Sequence, residues 1–278
     1  MLLPLLARLN SWGLWRISLR VAGNRFRPLT LDRLVALALF RVGLMGRQEF
    51  RLFRSLLRPG MTAVDIGANQ GVFTLFYAGQ VGPTGSVIAF EPDPEMFSTL
   101  SHNAKANARP WVELHNVAVG SEEGQLTLHT SRLNRGDNRL IRQGADHQPT
   151  VRVTTLDRVL GGRKVHLIKM DVQGWEGAVL KGMKGLLASS HPPWIHLEIC
   201  PHLLRQAGSS FDEVHGILKQ NGYSLHEADV RQATLDLNSV AKLEGALRYA
   251  NVLAVPSARS LTDTFGEGTS TQEENHPQ

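Results

Sequence analysis

The sequence predicts an α/β fold, a mainly parallel sheet with helices on both faces, and three observations predict it. From residue 61 onward, short β-branched runs alternate with helical stretches, the pattern of a mostly parallel sheet. Four of those runs carry an acid at the carboxyl tip: Asp65, Glu91, Asp171 and Glu198. The first run passes at once through a glycine-bearing turn into a helix, in Val64-Asp65-Ile66-Gly67-Ala68-Asn69-Gln70-Gly71-Val72-Phe73.

Strands are expected at 63–66, 86–90, 112–117, 126–130, 151–154, 166–170 and 195–199, and helices at 72–79, 94–106, 177–187 and 211–221. Residues 124–153 read as a strand pair with a polar loop, a flap on the substrate side. Residues 1–58 read as two or three amphipathic helices, punctuated by Gly23-Asn24 and Pro28. The organisation expected is therefore a basic helical arm at 1–58, a ligand-binding domain at 59–256, and a polar, disordered tail at 257–278.

The 278 residues, 42% hydrophobic and 20% charged, suffice for a packed core. Residues 1–60 hold eleven arginines against Asp32 and Glu49, a local charge of +9, which leaves −4 on the rest of a chain of net +5. No aromatic-interleaved basic patch marks the body, which argues against nucleic acid as a partner. The single cysteine, Cys200, excludes a disulfide framework and fits a cytoplasmic protein. The apolar run 34–40 is too short for a membrane span. The arm, with Trp12 and Trp15 among leucines and arginines, admits three readings: a lid over the ligand site, a peripheral contact with the inner membrane surface, or a homodimer contact.

The chemistry concentrates at the strand tips. Gly67 and Gly71 let the backbone approach a ligand, and the helix that follows offers free N–H donors. The spacing D-x-G-x-N-x-G departs from the G-x-G-x-x-G of a dinucleotide site, which disfavours an NAD-dependent oxidoreductase. Glu91 ends the second strand, where an acid accepts hydrogen bonds from ribose hydroxyls, with Asp93 free to cap the next helix. Lys169 and Asp171 share strand parity. If the strand carrying Glu198 is their neighbour, the three form a cluster able to remove a proton from a hydroxyl. A buried structural Lys–Asp pair and a divalent-ion site are the other uses of such a cluster; no third acidic ligand is apparent, so no metal is expected. His196 and His202 stand behind the carboxylates as further bases. His191-Pro192-Pro193-Trp194 reads as a strand entry, not an amine-orienting motif.

The ordered series D-I-G-A-N-Q-G, F-E-P-D, Thr155-Leu156-Asp157, I-K-M-D-V-Q-G-W-E and the strand ending in Glu198 resembles the FkbM family of methyltransferases, over about residues 61–200. The resemblance implies a class I, Rossmann-like methyltransferase fold, S-adenosylmethionine as cofactor, and O-methylation of a sugar, glycolipid or polyketide-like small molecule. It places Asp65, Gly67, Asn69 and Gly71 on the methionine side of the cofactor, Glu91 on the ribose, Asn116 and Ala118 beside the adenine, and Asp171 near the transferred methyl. The family usually reads D-V-E-G where this chain has Gln173, which leaves a non-catalytic cofactor-binding protein as the alternative.

Overall fold

The computed structural model describes residues 18–28, 31–129, 139–141, 149–227 and 249–257. The expected first helix with Trp12 and Trp15, the polar loop of the flap and the tail beyond residue 257 lie outside the described residues.

Residues 19–26 correct the helical reading of the arm. They form a hairpin of β1 (Leu19–Val21) and β2 (Asn24–Phe26). Ala22 and Gly23 turn it with φ of 46° and 81°. Val21, Asn24 and Phe26 are buried while Arg20 and Arg25 are exposed, the two-residue period of a strand. The hairpin is stitched to the body. Arg25 N–H donates to Asn107 Oδ1 at 2.8 Å, and Asn107 Nδ2 returns a bond to the Arg25 carbonyl at 2.7 Å. Two helices follow, α1 (Leu31–Arg41) and α2 (Arg47–Leu56), and α2 buries Leu52, Phe53 and Leu56 against the sheet.

The sheet begins with β3 (Thr62–Ile66), α3 (Val72–Val81), β4 (Ser86–Phe90), α4 (Pro94–Ala106) and β5 (Val112–His115). A smaller sheet follows: β6 (Ala118–Val119), β7 (Gly124–His129), β8 (Arg139–Ile141) and β9 (Thr150–Thr154), in the order β6-β9-β7-β8. The expected strand 112–117 thus ends early, and its continuation pairs with β9. The chain returns through α5 (Leu156–Leu160), β10 (Leu167–Met170), α6 (Glu176–Lys181), α7 (Lys184–Leu187), β11 (Trp194–Ile199), α8 (Pro201–Gln206), α9 (Phe211–Gln220), β12 (Tyr223–Glu227) and β13 (Ala250–Pro256). The single helix expected at 177–187 breaks at Gly182, which lies so close to the Gly120 carbonyl that a Cβ there would overlap it.

The main sheet runs β12-β13-β11-β10-β3-β4-β5, parallel except for β13. Alternation along the strands fills two layers. Val64, Ile66, Ile168, Met170, Ile195 and Leu197 pack on one face. Ala63, Leu167 and Trp194 pack on the other, with Phe53, Phe76 and Tyr77. Strand order reverses between β3 and β10, so their carboxyl ends open the crevice in which ligands of such sheets bind.

Candidate active site

A cavity of about 560 Å³ lies over the carboxyl ends of β3, β4, β10 and β11. Gly67–Gln70, Glu91, Val117–Val119, Lys169, Asp171, Gln173 and Glu198 line it, and α1 contributes Arg33, Leu39 and Phe40. Its size falls within the ordinary range of cofactor and small-ligand sites.

The turn after β3 is held from below. Gly67 and Ala68 N–H groups both donate to the Phe90 carbonyl at 3.0 Å. Asn69, in the left-handed region at φ 52°, donates its N–H to Glu91 Oε2 at 2.7 Å. Its side-chain oxygen accepts from Gln70 N–H at 2.9 Å and from Arg33 Nη1 at 3.3 Å. Glu91 Oε1 accepts from Asp93 N–H at 2.9 Å, and Asp93 caps α4 through Glu95 N–H at 2.8 Å. Asp93 thus takes the helix cap, while Glu91 is braced by two backbone N–H groups. Each Glu91 oxygen keeps a lone pair for a further donor. Burial raises its pKa to about 7, against the lowering pull of the two N–H bonds.

Three residues expected at the ligand stand behind the wall. Asp65 is buried under the turn, accepting from Thr74 Oγ1 at 2.5 Å, and does not line the cavity. Gly71, at φ 92°, caps α3 and packs on Leu100, where a Cβ would collide. Asn116 spends its amide bracing the tip of β4, donating to the Glu91 carbonyl at 2.8 Å and the Pro92 carbonyl at 3.1 Å. Val117, Ala118 and Val119 form the apolar wall beside it.

The strand register assembles the charged cluster. Lys169 pairs with Asp65 on β3 and with His196 on β11, and Glu198 follows two residues on. Lys169 Nζ lies 3.3 Å from Asp171 Oδ2, 4.0 Å from Asp65 Oδ1 and 5.0 Å from the Phe73 ring centre. Gln173 Nε2 donates to Asp171 Oδ1 at 2.8 Å, and Tyr249 OH donates to Gln173 Oε1 at 3.4 Å. Glu198 hydrogen-bonds Asp171. The Asp171 charge raises Glu198 to about 9, so Glu198 keeps its proton, and Lys169 and these hydrogen bonds hold Asp171 below the usual carboxylate range against its burial. His196 is no base here. Burial and Lys169 push it down to about 3, and its ring packs edge-on to Phe53 at 5.0 Å. His202 pairs with Gln206 on α8, away from the cavity wall.

Sequence reasoning missed Arg33 and Tyr249, which reach the cavity from α1 and the start of β13, and the fully buried Glu176 under the turn after β10. Glu176 belongs to the motif quoted for that turn; the other two carry no local signal.

The sheet order, the antiparallel β13, the glycine turn and the acid at the neighbouring strand tip define a class I S-adenosylmethionine-dependent methyltransferase fold. The cradle suits that cofactor. Gly71 leaves the start of α3 with no side-chain cap to compete with the methionine carboxylate, Glu91 faces the cavity, and Val117–Val119 offer an apolar wall for a purine. The chain belongs to the FkbM methyltransferase family, whose Methyltransferase FkbM domain matches residues 65–225, more than half of the sequence. Methyltransferase 1 of Beauveria bassiana is 32% identical over 143 residues, 43% of this chain and 57% of that protein. Hexuronic acid methyltransferase AglP of Haloferax volcanii is 27% identical over 129 residues, 45% of this chain and 51% of that protein. The chain thus spans about half the length of these curated relatives. The solved methyltransferase FkbM of Methylobacillus flagellatus is 16% identical, with a TM-score of 0.44 over 80% of this chain and 54% of that one.

Proposed function

We propose that the protein methylates a hydroxyl oxygen of a sugar, glycolipid or polyketide-like small molecule. The observation that carries this reading is the Lys169–Asp171–Glu198 cluster opening into the same cavity as Glu91. The name of the AglP relative supports a sugar-type acceptor. When bound, S-adenosylmethionine supplies an electrophilic methyl carbon on a positively charged sulfur. The protein then has to orient the acceptor and receive one proton, and orientation supplies much of the rate.

Asp171 is the group for that proton. It is a carboxylate whose geometry is fixed from three sides, by Lys169, Gln173 and Glu198. An acceptor hydroxyl would donate to Asp171, and the carboxylate would receive the proton that the oxygen loses when it takes the methyl group and the sulfur leaves as a neutral thioether. Glu198 already holds a proton and serves as donor and positioning group. Gln173 accounts for the missing family acid: its amide donates to Asp171, a bond that an ionised glutamate would replace with repulsion.

Labelled methyl transfer with panels of sugar, glycolipid and polyketide acceptors tests the proposal. Asp171→Asn should lower transfer by roughly 10²–10⁴-fold, with S-adenosylmethionine affinity little changed. Unaltered transfer in that variant would remove Asp171 from the reaction. Tight cofactor binding with no transfer to any acceptor favours the non-catalytic alternative, and titration in which only NAD binds overturns both.

A further inference from the structure

We infer that the elbow joining α1 to α2 docks the crevice mouth onto an anionic membrane surface. Among the described residues, the large hydrophobic side chains left exposed are Val35, Val42, Leu44, Met45 and Tyr249. Val35, Met45 and Tyr249 line the crevice, and Val42 and Leu44, 67% and 76% exposed, stand on the elbow beside it. Apolar exposure gathered at one rim marks an interaction surface.

The elbow is a built turn. Leu44 and Met45 N–H groups donate to the Leu39 carbonyl at 2.9 and 3.3 Å, and Gly43 and Gly46 take φ of 73° and 68°. Phe40 lies against Gly46 and packs on Phe50 and Phe73 at ring distances of 5.9 and 5.8 Å. Val42 and Leu44 are therefore presented outward from a fixed base.

Charge selects the occupant. Arg41 flanks the turn, and Arg47, Arg51 and Arg54 follow at helical spacing along one exposed face of α2. The acid among them, Glu49, accepts from Asn251 Nδ2 at 3.1 Å. Two copies meeting at this face would set arginine against arginine, whereas anionic headgroups neutralise the arginines while the apolar tips insert, the pairing of signals that peripheral binding requires. No helix among the described residues is long and apolar enough to cross a membrane. This inference does not depend on the methyl-transfer reading.

The full chain is sedimented with vesicles of phosphatidylcholine alone and with about one-third phosphatidylglycerol added. Binding is expected only to the anionic vesicles, weakening as salt is raised. V42S/L44S and R47S/R51S should each lower vesicle affinity by about tenfold or more, while melting temperature and S-adenosylmethionine affinity stay at wild-type values. Failure to sediment with anionic vesicles overturns the inference. So does wild-type binding by V42S/L44S, which would move the contact to another segment. A dimer in light scattering that V42S/L44S dissociates would assign the face to a second copy instead.

Discussion

Lys169 holds its ammonium 3.3 Å from Asp171 Oδ2 while lying 4.0 Å from Asp65, so one buried cation serves an acid at the cavity and an acid beneath it. Removing it leaves two carboxylates uncompensated in the sheet. Lys169→Met should destabilise the fold by about 3–5 kcal/mol at neutral pH, the cost of breaking a buried pair from one side. The Lys169 charge lowers the pKa of Asp171, a contribution present above the unfolded carboxylate value and lost as pH falls. The gap between variant and wild type should therefore narrow on acidification. Urea denaturation at neutral pH and well below the ordinary carboxylate value of 3.8 measures it; a gap independent of pH would show that lost packing, and not lost charge, is the cause.

Glu91 joins the first two strand tips through Asn69 N–H and, on the proposed reading, takes two ribose hydroxyls as well. Ribose donors favour the carboxylate, and Glu91 titrates at about 7. S-adenosylmethionine affinity should then rise with pH up to about 7 and level off, its total fall at lower pH being no larger than the loss caused by a neutral side chain at this position. Glu91→Gln should weaken binding by about 1–3 kcal/mol above neutrality and flatten the profile. Calorimetric titration from acid to neutral pH reads both; a flat wild-type profile would detach Glu91 from the ribose.

What was legible in the sequence was what is encoded locally. The helix Pro94–Ala106 is bounded correctly because Asp93-Pro94 is an N-cap followed by proline at the first position. The meeting of Glu198 with Asp171 was conditional on β10 and β11 being neighbours, which strands ending in acids do not fix by themselves; the parallel pairing of β10 with β11 supplies it. The hairpin at 19–26 was lost because three-residue strands are shorter than any helical window, although the alternation of Val21, Asn24 and Phe26 against two arginines was present. Ala250–Pro256 holds only Val252 and Val255 as β-branched residues, and its insertion between β11 and β12 is long-range pairing that no segment states alone. Arg33 and Tyr249 reach the cavity through that same long-range packing. Asp65 was placed at the ligand by the family resemblance, and nothing local in the sequence says what covers it; here α3 does, through Thr74.

Glu176 is fully buried, with one oxygen accepting from Gly174 N–H at 3.3 Å and the other without a hydrogen bond. Burial raises its pKa from 4.5 to about 7. A carboxyl whose folded value lies above its unfolded one stabilises fully below the unfolded value and loses that contribution as pH rises to the folded one. Glu176→Gln removes the titration while keeping the shape. Its stability relative to wild type should increase by roughly 1.4 kcal/mol per pH unit between about 4.5 and 7, then stay constant. Parallel stability curves across that window would mean that the side chain is ionised in the fold throughout.

Two glycines in one strand–turn–helix unit should respond in opposite directions. Gly67 takes φ 82°, and a Cβ there would lie 2.0 Å from the Asp171 carbonyl oxygen, backbone that cannot swing aside. Gly67→Ala therefore has to separate the turn after β3 from the tip of β10, the two walls of the crevice. It should cost about 2 kcal/mol or more through strain and lost packing and weaken S-adenosylmethionine binding along with it. Gly79 lies in the exposed part of α3 with nothing within 4 Å of its added Cβ. Gly79→Ala should raise stability by roughly 0.5–1 kcal/mol, through lower entropy of the unfolded chain, and leave binding unchanged. Thermal and urea unfolding of the two variants, with cofactor titration of each, separates a glycine the crevice requires from one it does not. If Gly67→Ala unfolds like wild type, the close approach of β3 and β10 does not exist in solution.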